Sequence, residues 1–189
     1  MVRISLAALS LAFVLPSVGS AAEYTIDKAH SAAIFKAHHM RAGYTYGMFL
    51  DVEGVINADP ANAAANSVNV TIKTDSVTTH DDKRDKHLKG PDFFNTKQFP
   101  TMTFKSTSVT KVDDTTMTLN GDLTIRGVTK PVTAKAIRTG IGKNPQTGAE
   151  IIGYETTFTI KRSDFGMSYM VGDIGDEVTL IIGLEAGKK

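Results

Sequence analysis

The residues best able to do chemistry are the five histidines, His30, His38, His39, His80 and His87, in a chain that has no cysteine. Without cysteine there is no disulfide, thiolate nucleophile or sulfur-ligated metal. His38 and His39 are neighbours on an alternating segment and point to opposite faces. His80 and His87 stand two helical turns apart, so no pair has metal-site spacing and no metal ligand is expected. Ser163-Asp164 lacks the Gly-x-Ser-x-Gly setting that activates a serine. Gly140-x-Gly142 and Gly172-x-x-Gly175 precede no helix, so they read as turn glycines rather than phosphate cradles. No catalytic residue is expected, and the chain reads as a binding protein rather than an enzyme. What remains is a group of charged side chains, Arg84, Asp85 and His87 with Arg162 and Asp164, beside the apolar Phe165, Met167, Tyr169 and Met170. Arg84, His87 and Arg162 are candidate contacts for a polar head group, or else part of a brace between helix and loop. The apolar four either plug an opening or flex over it as a lid.

These groups must be positioned by strands. From Tyr24 onward apolar and polar residues alternate with period two, interrupted by turn residues. Eight runs follow this pattern, at about 30–39, 46–56, 66–76, 101–110, 115–126, 130–141, 150–161 and 177–186. The turns Asp113-Asp114, Gly127-Val128-Thr129 and Asn144 to Gly148 are short, which predicts an all-β, up-and-down, eight-stranded antiparallel barrel. One segment differs. Thr79 is a candidate N-cap for a short helix over 80–89 with Asp81 and Asp82 in its first turn and Gly90 as C-cap. It has almost no apolar face beyond Leu88, so it belongs across the mouth, fastened by Leu88, Phe93 and Phe94.

The inward side of the alternation carries Phe35, Val52, Val70, Ile72, Met102, Phe104, Leu123, Ile125, Val132, Phe158, Ile160, Leu180 and Ile182, which are the expected lumen residues. Small inward residues, Ala33, Ala37, Gly54, Gly121, Ala134, Ala136 and Thr156, favour an elongated cavity over a filled core. Lys73, Lys105, Arg126, Lys135 and Glu155 fall on the outer face, where lipid would penalise them, and tryptophan is absent. A water-facing barrel with an apolar lumen fits better than a membrane barrel.

Of the 189 residues, 41% are hydrophobic and 22% charged, an ordinary globular composition. Met1-Val2-Arg3, the apolar run Ile4 to Val14 and the small residues ending at Ala22 read as an export signal over 1–22. The single domain then spans 23–189 and the expected location is the periplasm. Removing Arg3 with the signal leaves 20 cations against 20 carboxylates. That balance argues against nucleic-acid binding.

Longer motifs carry a resemblance. Tyr24-x-Ile26-Asp27-x-x-His30-Ser31, Phe35-x-x-x-His39, Lys83-Arg84-Asp85-x-His87-Leu88, Phe99-Pro100-Thr101, Gly121 through Pro131, Arg162-Ser163-Asp164-Phe165-Gly166 and Gly175-Asp176-Glu177-Val178 occur in order across 24–186. In this the chain resembles the YceI-like family of exported bacterial proteins. The resemblance implies a lipocalin-like barrel that binds a long polyisoprenoid, with no cofactor beyond the bound lipid. It also implies extracytoplasmic transport or storage of that lipid. The alternative is an accessory protein that presents an isoprenoid quinone to a membrane electron-transfer partner. A membrane protein partner and a homodimer are compatible with either. Ala33 and Ala37 stand where the family more often carries Val, which implies more room at that end.

Overall fold

A computed structural model of the chain describes residues 21–59 and 61–189. The export signal expected over 1–22 lies, but for its last two residues, outside the described residues.

Eleven strands are present among the described residues: β1 (Ala22–Ile26), β2 (Ala32–His39), β3 (Gly43–Phe49), β4 (Val52–Ala58), β5 (Ser67–Lys73), β6 (Val77–Thr78), β7 (Thr101–Lys111), β8 (Thr116–Ile125), β9 (Val128–Lys143), β10 (Glu150–Lys161) and β11 (Ile174–Lys188). They make eight staves. β1 and β2 both run antiparallel to β11, Ile26 opposite Ala186 and Ala32 opposite Gly183, with a 3-10 turn between them. β3 pairs with β2 while β4 pairs with β1, and β6 pairs with β3 while β5 pairs with β4. Each of the first three staves is thus broken once. The remaining five are continuous, every pairing is antiparallel, and the β1 and β2 ladders to β11 close the barrel.

The eight expected runs correspond to these staves, with β1 the addition. The turn between β8 and β9 is two residues, Arg126 and Gly127, both at positive φ, rather than the three expected from Gly127. That is the hairpin geometry whose twist matches the strands it joins. β7 bulges between Ser106 and Ser108. Strict alternation would set Phe104 and Val109 on opposite faces, and the bulge lets both turn inward.

The helix α1 (Asp82–Leu88) is capped by Asp81, whose carboxylate accepts from the Arg84 backbone N–H at 2.8 Å. Thr79, the expected cap, is buried and gives its N–H and hydroxyl to Asp85 at 2.8 and 2.5 Å. Lys89 rather than Gly90 ends the helix, and His80 lies before it. Among the described residues β7 has no ladder to β6, since its pairing with β5 stops at Lys73 opposite Thr101. α1 and the segment 91–99 occupy that gap. The rings of Phe35, Phe49 and Phe94 meet there at centroid distances of 5.0 to 6.5 Å and fasten the segment to the barrel.

Candidate functional site

The inner faces of the staves enclose a cavity of about 730 Å³. Eleven of the thirteen residues expected in the lumen border it: Phe35, Val70, Ile72, Met102, Phe104, Leu123, Ile125, Phe158, Ile160, Leu180 and Ile182. Val52 and Val132 do not. Val52, opposite Ile72, is wholly buried in the packed core at the end of β4 where the stave breaks. Val132 stands opposite Gly121, and a Cβ on Gly121 would lie 2.5 Å from the Phe104 ring. The ring therefore fills the space over that stretch of wall. Gly121 opens no room, and neither does Gly54, whose absent side chain lets the Asn69 carbonyl approach to within 2.1 Å of where a Cβ would stand. Ala33, Ala37, Ala134 and Thr156 do border the cavity. Sequence alternation missed Phe49, Phe94 and Met167 on its wall, the last two because they lie outside strands.

The cavity reaches the surface at the end formed by α1, the β2–β3 hairpin and the loop before β11. Asp81, Lys83, His87 and His39 border it and are solvent-exposed. His38 and His39 both border this mouth although they point apart along β2, because the strand ends there in a turn through Met40 and Arg41 at positive φ. Arg84, His87 and Arg162 are all at this end, and each already hydrogen-bonds to the protein. Arg84 donates to the Thr79 hydroxyl at 2.7 Å and carbonyl at 2.9 Å. His87 pairs with Asp92 at 2.9 Å, with its ring edge-on to Phe93 and Tyr169.

Arg162 is 4% exposed and holds four backbone carbonyls, of Gly175, Met167, Tyr169 and Ile174, at 2.6 to 3.0 Å. It pins the loop to itself rather than to the helix. Burial pulls its pKa down, opposed by the Asp176 charge. Burial pushes Asp176 up in turn, but the Ser163 hydrogen bonds and the Arg162 charge outweigh it and hold the carboxyl below its usual range. In the loop Phe165 and Met167 are buried in the packed core, Met167 on the cavity wall, while Tyr169 and Met170 remain more than a third exposed. A cation that alternation placed on the outer face, Arg126, reaches across instead to the Pro91 and Phe93 carbonyls and braces the segment after α1.

Elsewhere two polar clasps join distant chain segments. His30 Nδ1 lies 2.9 Å from Asp27 and 3.8 Å from Glu185 at the β1–β2 break. Tyr24 donates its hydroxyl to Glu150, and burial together with that carboxylate pushes the phenol up to about 12.

An eight-stranded antiparallel barrel with an open apolar lumen and a helix at its mouth is a lipocalin-like architecture. The chain belongs to the YceI-like family: the YceI-like domain model matches residues 24–186. It is 44% identical to Protein YceI of Escherichia coli O6:H1 over 185 residues, 96% of each chain. Among solved structures it resembles Burkholderia cenocepacia BcnA, with TM-score 0.76 and 26% identity over 85% of this chain and 98% of that one. It also resembles the Campylobacter jejuni YceI protein, with TM-score 0.72 and 38% identity over 80% and 89%. A Saccharophagus degradans polyisoprenoid binding domain shares the fold at TM-score 0.70 and 16% identity over 88% and 98%.

Proposed function

We propose that the protein binds a linear isoprenoid lipid in its lumen and carries or stores it outside the cytoplasm. The observation that carries this reading is the cavity of about 730 Å³ whose wall from Val178 and Met102 inward is aliphatic and aromatic apart from Thr156, with the charged side chains among the described residues at the mouth. A rigid apolar lumen too large to be filled by its own side chains favours an occupant that is long, slender and apolar. Burying ~15 methylene-sized groups contributes on the order of 12 kcal/mol gross, less the ordering and association costs. The polyisoprenoid binding domain of Saccharophagus degradans has a barrel of the same shape. The polar end of the lipid lies at the mouth, beside Lys83, since Arg84, His87 and Arg162 already pair with protein oxygens. Native mass spectrometry of the purified protein, followed by organic extraction, tests the reading. The expected result is a bound isoprenoid lipid; a quinone head on it would favour delivery to an electron-transfer partner. Protein that carries no lipid, and takes none up after delipidation, would overturn it.

A further inference from the structure

The lumen does not end at the floor of the main chamber. A second cavity of about 50 Å³ lies beyond it, and Val68, Leu119, Thr156, Ile182 and Leu184 border both. On three strands the change of chamber can be followed one inward residue at a time. β8 offers Leu123 to the large chamber and Met117 to the small one, β9 offers Ala134 and then Ala136, and β10 offers Phe158 and then Tyr154. Leu119 and Thr156 fall between these on their strands, with Leu119 opposite Ala134, and Thr156 opposite Ala136 and Ile182. The shared residues are therefore a thin collar across the lumen, one inward residue deep on β8 and β10 and two deep on β11.

We propose that this collar, with Leu119 as its principal stop, sets the length of apolar chain the protein accepts; the inference rests on the lumen being the lipid site. Leu119 is buried and packs with Val109 and Ala136 in a small cluster at the far end of the barrel, so it stands between an incoming chain end and the small cavity. Among the described residues the Thr156 hydroxyl is buried without a partner, so this side chain adds no hydrogen bond across the collar. The collar side chains meet by packing, and one truncation can open it. At about 30 Å³ per carbon-sized group, the chamber above the collar takes about 24 carbons, or about five isoprene units. Anything longer leaves its remainder in water at the mouth. Leu119→Ala removes three carbons and joins the two cavities, adding space for about one further unit.

The test uses delipidated protein and linear isoprenoid alcohols of about three to about eight units, measured by displacement of a fluorescent apolar dye. In the unmodified protein, affinity is expected to rise with each unit to about five and then level. In Leu119→Ala the plateau moves about one unit longer, with a several-fold gain for the first chain that previously gained nothing. Leu184→Ala, across the lumen on β11, is the second route to the same opening should Leu119→Ala not fold. Leu180→Ala adds comparable space to the main chamber only and is expected to weaken all lengths alike with the plateau unmoved. A plateau that stays put in the folded collar variants, or moves equally in Leu180→Ala, overturns the collar while leaving lipid binding intact. Failure of the unmodified protein to bind any length overturns both.

Discussion

His30 lies where the first stave breaks, and its ring is drawn between Asp27 on its own turn and Glu185 on β11. The Asp27 hydrogen bond first, then the Asp27 and Glu185 charges, raises the imidazole pKa above its ordinary value. The protonated ring therefore favours the folded chain. Its contribution is complete below the unfolded imidazole pKa of about 6.5 and is lost as pH rises through the raised folded value. Asp27 is lowered by the same contact, so its share is present above the unfolded carboxyl pKa of about 3.9 and lost as pH falls through the depressed one. The melting-temperature gap between the unmodified protein and His30→Gln should be wider at about pH 5.5 than at about pH 8.5. A gap of the same size at both would show that the ring acts by shape alone.

At the scale of elements, the loop between β10 and β11 has little secondary structure beyond one 3-10 turn, and a single buried guanidinium organises it. Removing that group leaves four carbonyls, one buried and three partly buried, without their donor. Arg162→Met should cost about 3 kcal/mol or more, with faster proteolytic cleavage within 166–174. Arg162→Lys, with fewer donors and no planar fork, should recover only part. Because the donors already point at the chain, loss of Arg162 should weaken lipids with and without a polar head by the same factor. Competitive displacement that showed selective loss of the head-bearing lipid would restore the head-group role the sequence suggested.

For the molecule as a whole, the central matter is whether the barrel is a container or a packed core. Ala134 is buried in the wall and borders the chamber. In Ala134→Phe six added ring carbons, at about 30 Å³ each, would take up about a quarter of the 730 Å³. A ring placed in open space should leave stability nearly unchanged and reduce the lipid retained. In a filled core the same change would overpack and cost about 1 to 3 kcal/mol. Unchanged lipid content with a lowered melting temperature would mark the barrel as filled.

Much of this was legible in the chain because it is local. The period-two patterning of Val68, Val70 and Ile72, or of Val178, Leu180 and Ile182, turns side chains to one face whatever the rest of the protein does. The turn residues between runs make the neighbours antiparallel. The helix could be recognised from its acidic start and basic end, with an error of two residues at the cap because Thr79 and Asp81 compete for that role and only Asp85 decides it, by taking the Thr79 hydroxyl. Alternation says which side of a strand faces in, but not what stands in front of it. Val52 and Val132 face in and still miss the lumen, because a stave break buries one and the Phe104 ring covers the space beside the other. The uses of Arg126 and Arg162 were equally hidden, since their carbonyl partners are fixed by loops that alternation does not describe. By itself the sequence determined the strands, their inward faces and the family; closure by β1, the open chamber and its collar were decided only in the tertiary structure, because each depends on side-chain volumes summed across strands far apart in the chain.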